Sequence, residues 1–171
     1  MDGDEPAAEE QLKALAVLGD IMDRHGLDYW LFGGWAVDFW LGTVTRAHDD
    51  VDLAIWRDDY EVISGVLTLA GWRYAPVEDE AIGASFRSGA VLAELTFVIS
   101  DHSRMMFIPF PDQPVLWSAV PFGSDRRELR GVSCRVIPLA VLKAGKSVPR
   151  EDPADAAKDR ADFEALAKHY F

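Results

Sequence analysis

The sequence is short of most of what binding classes are built from. Its one cysteine, Cys134, cannot form an internal disulfide, and His25, His48, His102 and His169 show no metal-ligand spacing, so neither zinc nor cysteine chemistry is indicated. Positive charge is scarce too: 17 basic against 29 acidic residues leave a net charge of −12. That balance disfavours nucleic acid and anionic membranes as partners, and it favours cationic small molecules. No apolar run approaches the roughly 20 residues a bilayer crossing takes, since even 30–41 is broken by Gly33, Gly34 and Asp38. The N-terminus, MDGDEPAAEE, has neither the basic start nor the apolar run of a secretory signal, so a cytoplasmic protein is expected. Internal repeats and low-complexity tracts are missing as well, apart from the charged termini.

What is present is a chain of 171 residues, 49% hydrophobic, long enough to bury most of its unfolded surface in a single domain. Leu12, Leu15, Ala16, Leu18, Gly19 and Met22 recur at helical spacing over about 7–25, until Gly26 stops them. The run 29–32 reads as a strand ending in Gly33-Gly34, and WAVDFWLG as a short helix closed by Gly42. A strand is expected over 50–56 and a helix over 58–70, followed by strands at 72–76, 84–88 and 90–99 with Ser88-Gly89 as a hairpin turn. Residues 104–110 suit another strand, the prolines at 109, 111, 114 and 121 make the next segment irregular, and 127–137 reads as a hairpin around Gly131. Pro138 opens a helix through Lys146, and a last helix covers 153–169. The fold class is α/β (α+β): a mixed central sheet with flanking helices, a catalytic core over about 7–110, and a hairpin with helices over 111–171.

The chemistry concentrates in HDDVDLAIW. On a strand, Asp50 and Asp52 share one face about 6 to 7 Å apart, Val51 and Leu53 face the core, and Asp49 has the wrong parity. Two such carboxylates can converge on one Mg²⁺, or on two about 4 Å apart, the arrangement that serves in-line displacement at phosphorus. Glu94, a lone acid inside VLAELTFV, is the candidate for a third; the alternative is a charge on the wet face of an edge strand. Gly33-Gly34 between strand and helix would let backbone N–H groups approach a phosphate.

Taken together, GGWAVDFWLGTVTRAHDDVDLAIW resembles the signature of the antibiotic nucleotidyltransferases related to aminoglycoside 2''-adenylyltransferases and lincosamide adenylyltransferases. The resemblance implies a nucleotidyltransferase fold. It implies metal-binding acids at Asp50 and Asp52, a third acid at Glu94 that also serves as general base, a nucleotide loop at Gly33 and Gly34, and a basic loop residue at Arg46. The expected activity is Mg²⁺-dependent transfer of NMP, with ATP as the expected donor, to a hydroxyl of a small cationic acceptor such as an aminoglycoside, releasing pyrophosphate. The alternatives are a lincosamide acceptor, a protein acceptor as in toxin–antitoxin nucleotidyltransferases, and a non-catalytic nucleotide-binding protein.

Other residues carry weaker signals. Arg46 reads equally as a phosphate contact or a loop residue, and His48 reads as surface loop. Lys143, Lys146 and Lys158 read as solvated helix lysines, and Trp35, Trp40, Trp56, Trp72 and Trp117 as core.

Overall fold

The computed structural model describes residues 3–170. Helix α1 (Asp4–Arg24) starts three residues earlier than the periodicity suggests, because Pro6 falls in its first turn, where a missing N–H costs no hydrogen bond. Strand β1 (Tyr29–Phe32) leads straight into α2 (Gly33–Leu41), so the paired glycines are the first helical residues and not a turn ahead of the helix. Strand β2 (Val51–Trp56) is followed by a 3₁₀ turn at Arg57–Asp59 and α3 (Tyr60–Leu69). Then come β3 (Arg73–Ala75), β4 (Gly83–Ser88) and β5 (Val91–Ser100).

These strands form a sheet in the order β1-β2-β5-β4-β3, in which β2 and β5 run parallel and every other pair antiparallel. Strand β6 (Met106–Ile108) pairs with β5, and β7 (Val115–Ser118) adds to β6 inside the proline-rich segment expected to be irregular. The prolines stop short of β7 itself, which leaves its N–H groups free to pair with β6. The hairpin of β8 (Arg126–Leu129) and β9 (Val132–Arg135) forms its own small sheet, turning at Arg130-Gly131 with both residues at positive φ (48° and 79°). Helices α4 (Leu139–Lys146) and α5 (Pro153–Tyr170) follow.

Alternation along the central strands divides the sheet into two faces. Val51, Leu53 and Ile55 of β2, with Ala93, Leu95 and Phe97 of β5, are buried in the main core. Helix α1 packs on α3 and against β5. On the opposite face one row of neighbours crosses the sheet: Phe32, Asp52, Glu94, Ser85 and Ala75, from β1, β2, β5, β4 and β3 in turn. Helix α2 packs against α4 and α5, beside β1 and β2. The β5 and β4 end of that row lies open.

Candidate active site

The row brings Asp52 and Glu94 side by side on parallel strands. Like charges opposite one another destabilise a sheet, so this pairing runs against what packing alone would select. Asp50, just ahead of β2, joins them, and one carboxylate oxygen from each of the three acids lies within 4.8 Å of the others. Among the described residues, none of the three takes part in an ion pair. Burial is the main force raising the Asp52 carboxyl well above its usual range, and the charges of Asp50 and Glu94 raise it further. Glu94 is raised by burial and then by Asp50, and Asp50 by burial and then by Asp49. Three convergent hard oxygen donors that repel one another fit a divalent cation such as Mg²⁺ or Mn²⁺. Asp49 is not part of this group: it lies ahead of β2, and its carboxylate pairs with Lys158 at 2.9 Å on the edge of the cleft that both residues line.

The glycines are explained by what crowds them. Gly33 has φ +70°, and a Cβ there would run into the Asp52 carboxylate. A Cβ on Gly34 would come within 2.5 Å of Arg46 Nη2 and 2.6 Å of His48 Nδ1. The space left by the missing side chains is therefore already shared with the acid and the base that face it. Both glycines also line the cleft.

His48 is not the surface-loop residue its sequence context suggests. Its side chain is 3% exposed, lies 2.6 Å from the buried Asp38 carboxylate through Nε2, and stacks on Trp35 at 4.5 Å. Asp38 also accepts hydrogen bonds from the Thr45 N–H and hydroxyl. The Gln11 amide donates to the His48 carbonyl, and Trp35 Nε1 donates to Gln11. The loop that delivers Asp50 is thus pinned at Thr45 and at His48. An Asp seven residues ahead of a Thr-Arg-Ala-His run offered a faint signal of this, but only the helix's return to the loop makes it visible.

Sequence reasoning also missed the acids of α5. Arg46 lays its guanidinium on Asp162 (Nε–Oδ1 3.1 Å, Nη2–Oδ2 3.0 Å). Lys146, read as solvated, has a side chain only 9% exposed and pairs with Asp159 at 3.0 Å and Asp162 at 2.8 Å. Arg150 Nε reaches Asp159 at 2.8 Å. The spacing of Asp155, Asp159 and Asp162 along one helical face was the available clue. Of the tryptophans, Trp35 and Trp72 are core as expected, whereas Trp117 packs edge-on to Phe32 and lines the cleft.

These groups surround a cleft of about 470 Å³, with the three acids on its floor and Gly33, Gly34, Arg46, Lys146, Arg150 and Lys158 on its walls. A second hollow, about 500 Å³, shares Glu94 and Thr96 with the first and extends over β4, with Ser85 and Leu92 among its lining residues and Glu78 and Asp79 along the 76–82 segment.

A mixed sheet that sets one acid on a strand and another just ahead of it, beside a third on the parallel neighbour, with a glycine-led helix alongside, is the arrangement of the nucleotidyltransferase fold. The chain matches the family model described as aminoglycoside-2''-adenylyltransferase over residues 14–143, and it belongs to that family. A 2''-aminoglycoside nucleotidyltransferase of Escherichia coli is 39% identical over 51 residues, and one from Klebsiella pneumoniae matches to the same extent. Those matches span 30% of this chain and 29% of the length of these curated relatives. Among solved structures, ANT(2'')-Ia in complex with adenylyl-2''-tobramycin superposes with a TM-score of 0.69 at 21% identity, covering 93% of this chain and 88% of that one. The lincomycin-bound lincosamide adenylyltransferase LnuA superposes with a TM-score of 0.68 at 15% identity, covering 86% and 90%. At those identities the likeness shows the shared fold. No helix among the described residues is long and apolar enough to cross a membrane.

Proposed function

We propose that the protein transfers a nucleoside monophosphate, AMP from ATP in the leading case, to a hydroxyl of an aminoglycoside-like polycation. The observation that carries this reading is the convergence of Asp50, Asp52 and Glu94 at the junction of two hollows, with no cation of the protein paired to them. Asp50, Asp52 and Glu94 would hold Mg²⁺, which when bound neutralises phosphate charge and stabilises the oxygens entering and leaving at phosphorus. The N–H groups of Gly33 and Gly34, at the start of α2, and the Arg46 guanidinium face the cleft in which the triphosphate would lie. Glu94 stands where both hollows meet. With its carboxyl raised above the ordinary range by burial and by Asp50, it suits a base that takes the acceptor's proton as the acceptor oxygen attacks the α-phosphorus and pyrophosphate leaves.

The acceptor then belongs over β4 and β5, in the second hollow. Its carboxylates, Glu78, Asp79 and the shared Glu94, outnumber its one lining cation, Arg87, and with the chain's net charge of −12 they favour a ligand carrying several ammonium groups over a lincosamide carrying one. The test incubates the protein with Mg²⁺ and an α-labelled NTP against panels of aminoglycosides and lincosamides. Label on an aminoglycoside is the expected result. Label on a lincosamide or on a polypeptide would reassign the acceptor, and NTP binding without transfer would make this a nucleotide-binding protein only.

A further inference from the structure

We infer that Asp162 and Asp159 of α5 are positioning residues: they hold a wall of cations, Arg46, Lys146 and Arg150, toward the triphosphate of the bound nucleotide. The inference rests on the nucleotidyltransferase reading and extends it to two acids that hold the cations: Asp162, which does not line the cleft, and Asp159, which lines it beside Lys146 and Arg150. All three cations line the cleft that holds the metal-binding acids, whereas Asp162, 3% exposed, stands behind them. From there it takes two hydrogen bonds from Arg46 and one contact of 2.8 Å from Lys146. Asp159 receives Lys146 on one oxygen and Arg150 on the other. Two buried carboxylates thus serve three cations drawn from three parts of the chain: the loop ahead of β2, the last turn of α4, and the segment between α4 and α5.

Three positive groups against two carboxylates leave one charge over, and all three cations line the cleft, whereas Asp162 does not. Arg46 spends Nε and Nη2 on Asp162 and Nη1 on the carbonyl of Ala47, so its plane is fixed. A guanidinium and an ammonium locked in this way lose little rotamer freedom when an anion arrives, which is how preorganised cations raise affinity. Lys146 is also close enough for its charge to favour ionised Asp52, which ties the wall to the metal-binding floor. Salt bridges that served stability alone would not need to be gathered on the rim of the cleft.

The experiment measures affinities for Mg²⁺-bound NMP, NDP and NTP in wild type and Asp162→Asn. Loss of the buried carboxylate frees the cations to reorient, so NTP affinity should fall by about tenfold or more, while NMP affinity changes by less than about twofold. A merely structural defect would weaken the whole series in proportion. Asp159→Asn, which releases Arg150 and half of Lys146, is the second variant should Asp162→Asn fail to fold, and a smaller drop in the NTP-to-NMP ratio is expected from it. An unchanged ratio in a folded variant overturns the inference and leaves the functional reading intact. Absence of NTP binding by the wild type overturns both.

Discussion

Two sets of acids, one buried and one half-buried, lie within one cleft wall of each other and are treated in opposite ways. Asp159 and Asp162 each have two cationic partners, all between 2.8 and 3.1 Å. Asp50, Asp52 and Glu94 converge on one another with no ion pair to a cation among the described residues, although the charges of Lys146 and Lys158 act on Asp52 and Asp50 from farther off. The consequence shows in their proton affinities. Burial raises Asp162, but hydrogen bonds from Arg46 and Lys146 outweigh it and hold the carboxyl below the ordinary range. Burial raises Asp52 as well, and its neighbours add to the rise. An acid supplied with its own counter-charge is a structural element, and an acid denied one is a vacancy for a ligand's charge.

The comparison is tested most severely at Asp52. Asp52→Asn keeps the side chain's shape and removes one of the three converging charges, so transfer should fall by on the order of 10³-fold or more while the fold persists. Initial rates alongside circular dichroism would check both halves. If Asn were tolerated, the acids would not be holding metal.

Glu94 should respond next. Glu94→Gln retains volume and one acceptor oxygen but loses basicity, and a residue acting chiefly as base loses about 10²- to 10⁴-fold in turnover with near-native NTP binding. A matching loss of Mg·NTP affinity would recast it as chiefly a metal ligand.

The two sets should also pull stability in opposite directions with pH. The triad's folded pKa values are raised, so its contribution is fully present below the unfolded values near 3.8 to 4.5 and is lost as pH rises through the folded ones. Asp162 is depressed: its contribution is present above 3.8 and is lost as pH falls through its folded value. Urea unfolding across pH 4 to 8 in a chelator should therefore show wild type losing stability relative to Asp52→Asn as the pH rises, with Mg²⁺ narrowing the gap. Parallel curves would remove the charge conflict from the account.

The smallest effect belongs to Asp49, whose side chain is 84% exposed and paired only with Lys158. Asp49→Asn should leave turnover within about twofold and stability nearly unchanged, as exposed ion pairs contribute little. A loss rivalling that at Asp52 would mean the strand register is wrong by one residue.

How far the sequence could be read follows from the range of the interactions. Alternation along a single strand was enough to place Asp52 opposite Val51 and Leu53, and Glu94 opposite Ala93 and Leu95, because side-chain parity is local; that the two acids share a face needed the pairing of β2 with β5. The glycine pair announced a close approach without saying of what, and it proved to be Asp52 at one glycine and Arg46 with His48 at the other. Lys146 and the α5 acids were opaque, since a charged residue on an amphipathic helix looks solvated until its partner is known, and Arg46 lies 116 positions from Asp162. His48 was misjudged for the same reason: a polar loop context says nothing about Asp38 and Trp35 closing over it. Trp117 was misassigned because β7 had been hidden among prolines.

The parallel pairing of β2 with β5 also bears on when the site comes into being. Between Asp52 and Glu94 the chain must first build α3, β3 and β4, then return to lay β5 beside β2. Non-local pairings of this kind carry the loop-closure cost and form late. A nascent or unfolded chain therefore carries Asp50 and Asp52 close in sequence but lacks the third acid beside them. On the proposed reading the complete site would form only with the finished sheet, and chelation should empty the floor of the cleft without unwinding the strands that carry it.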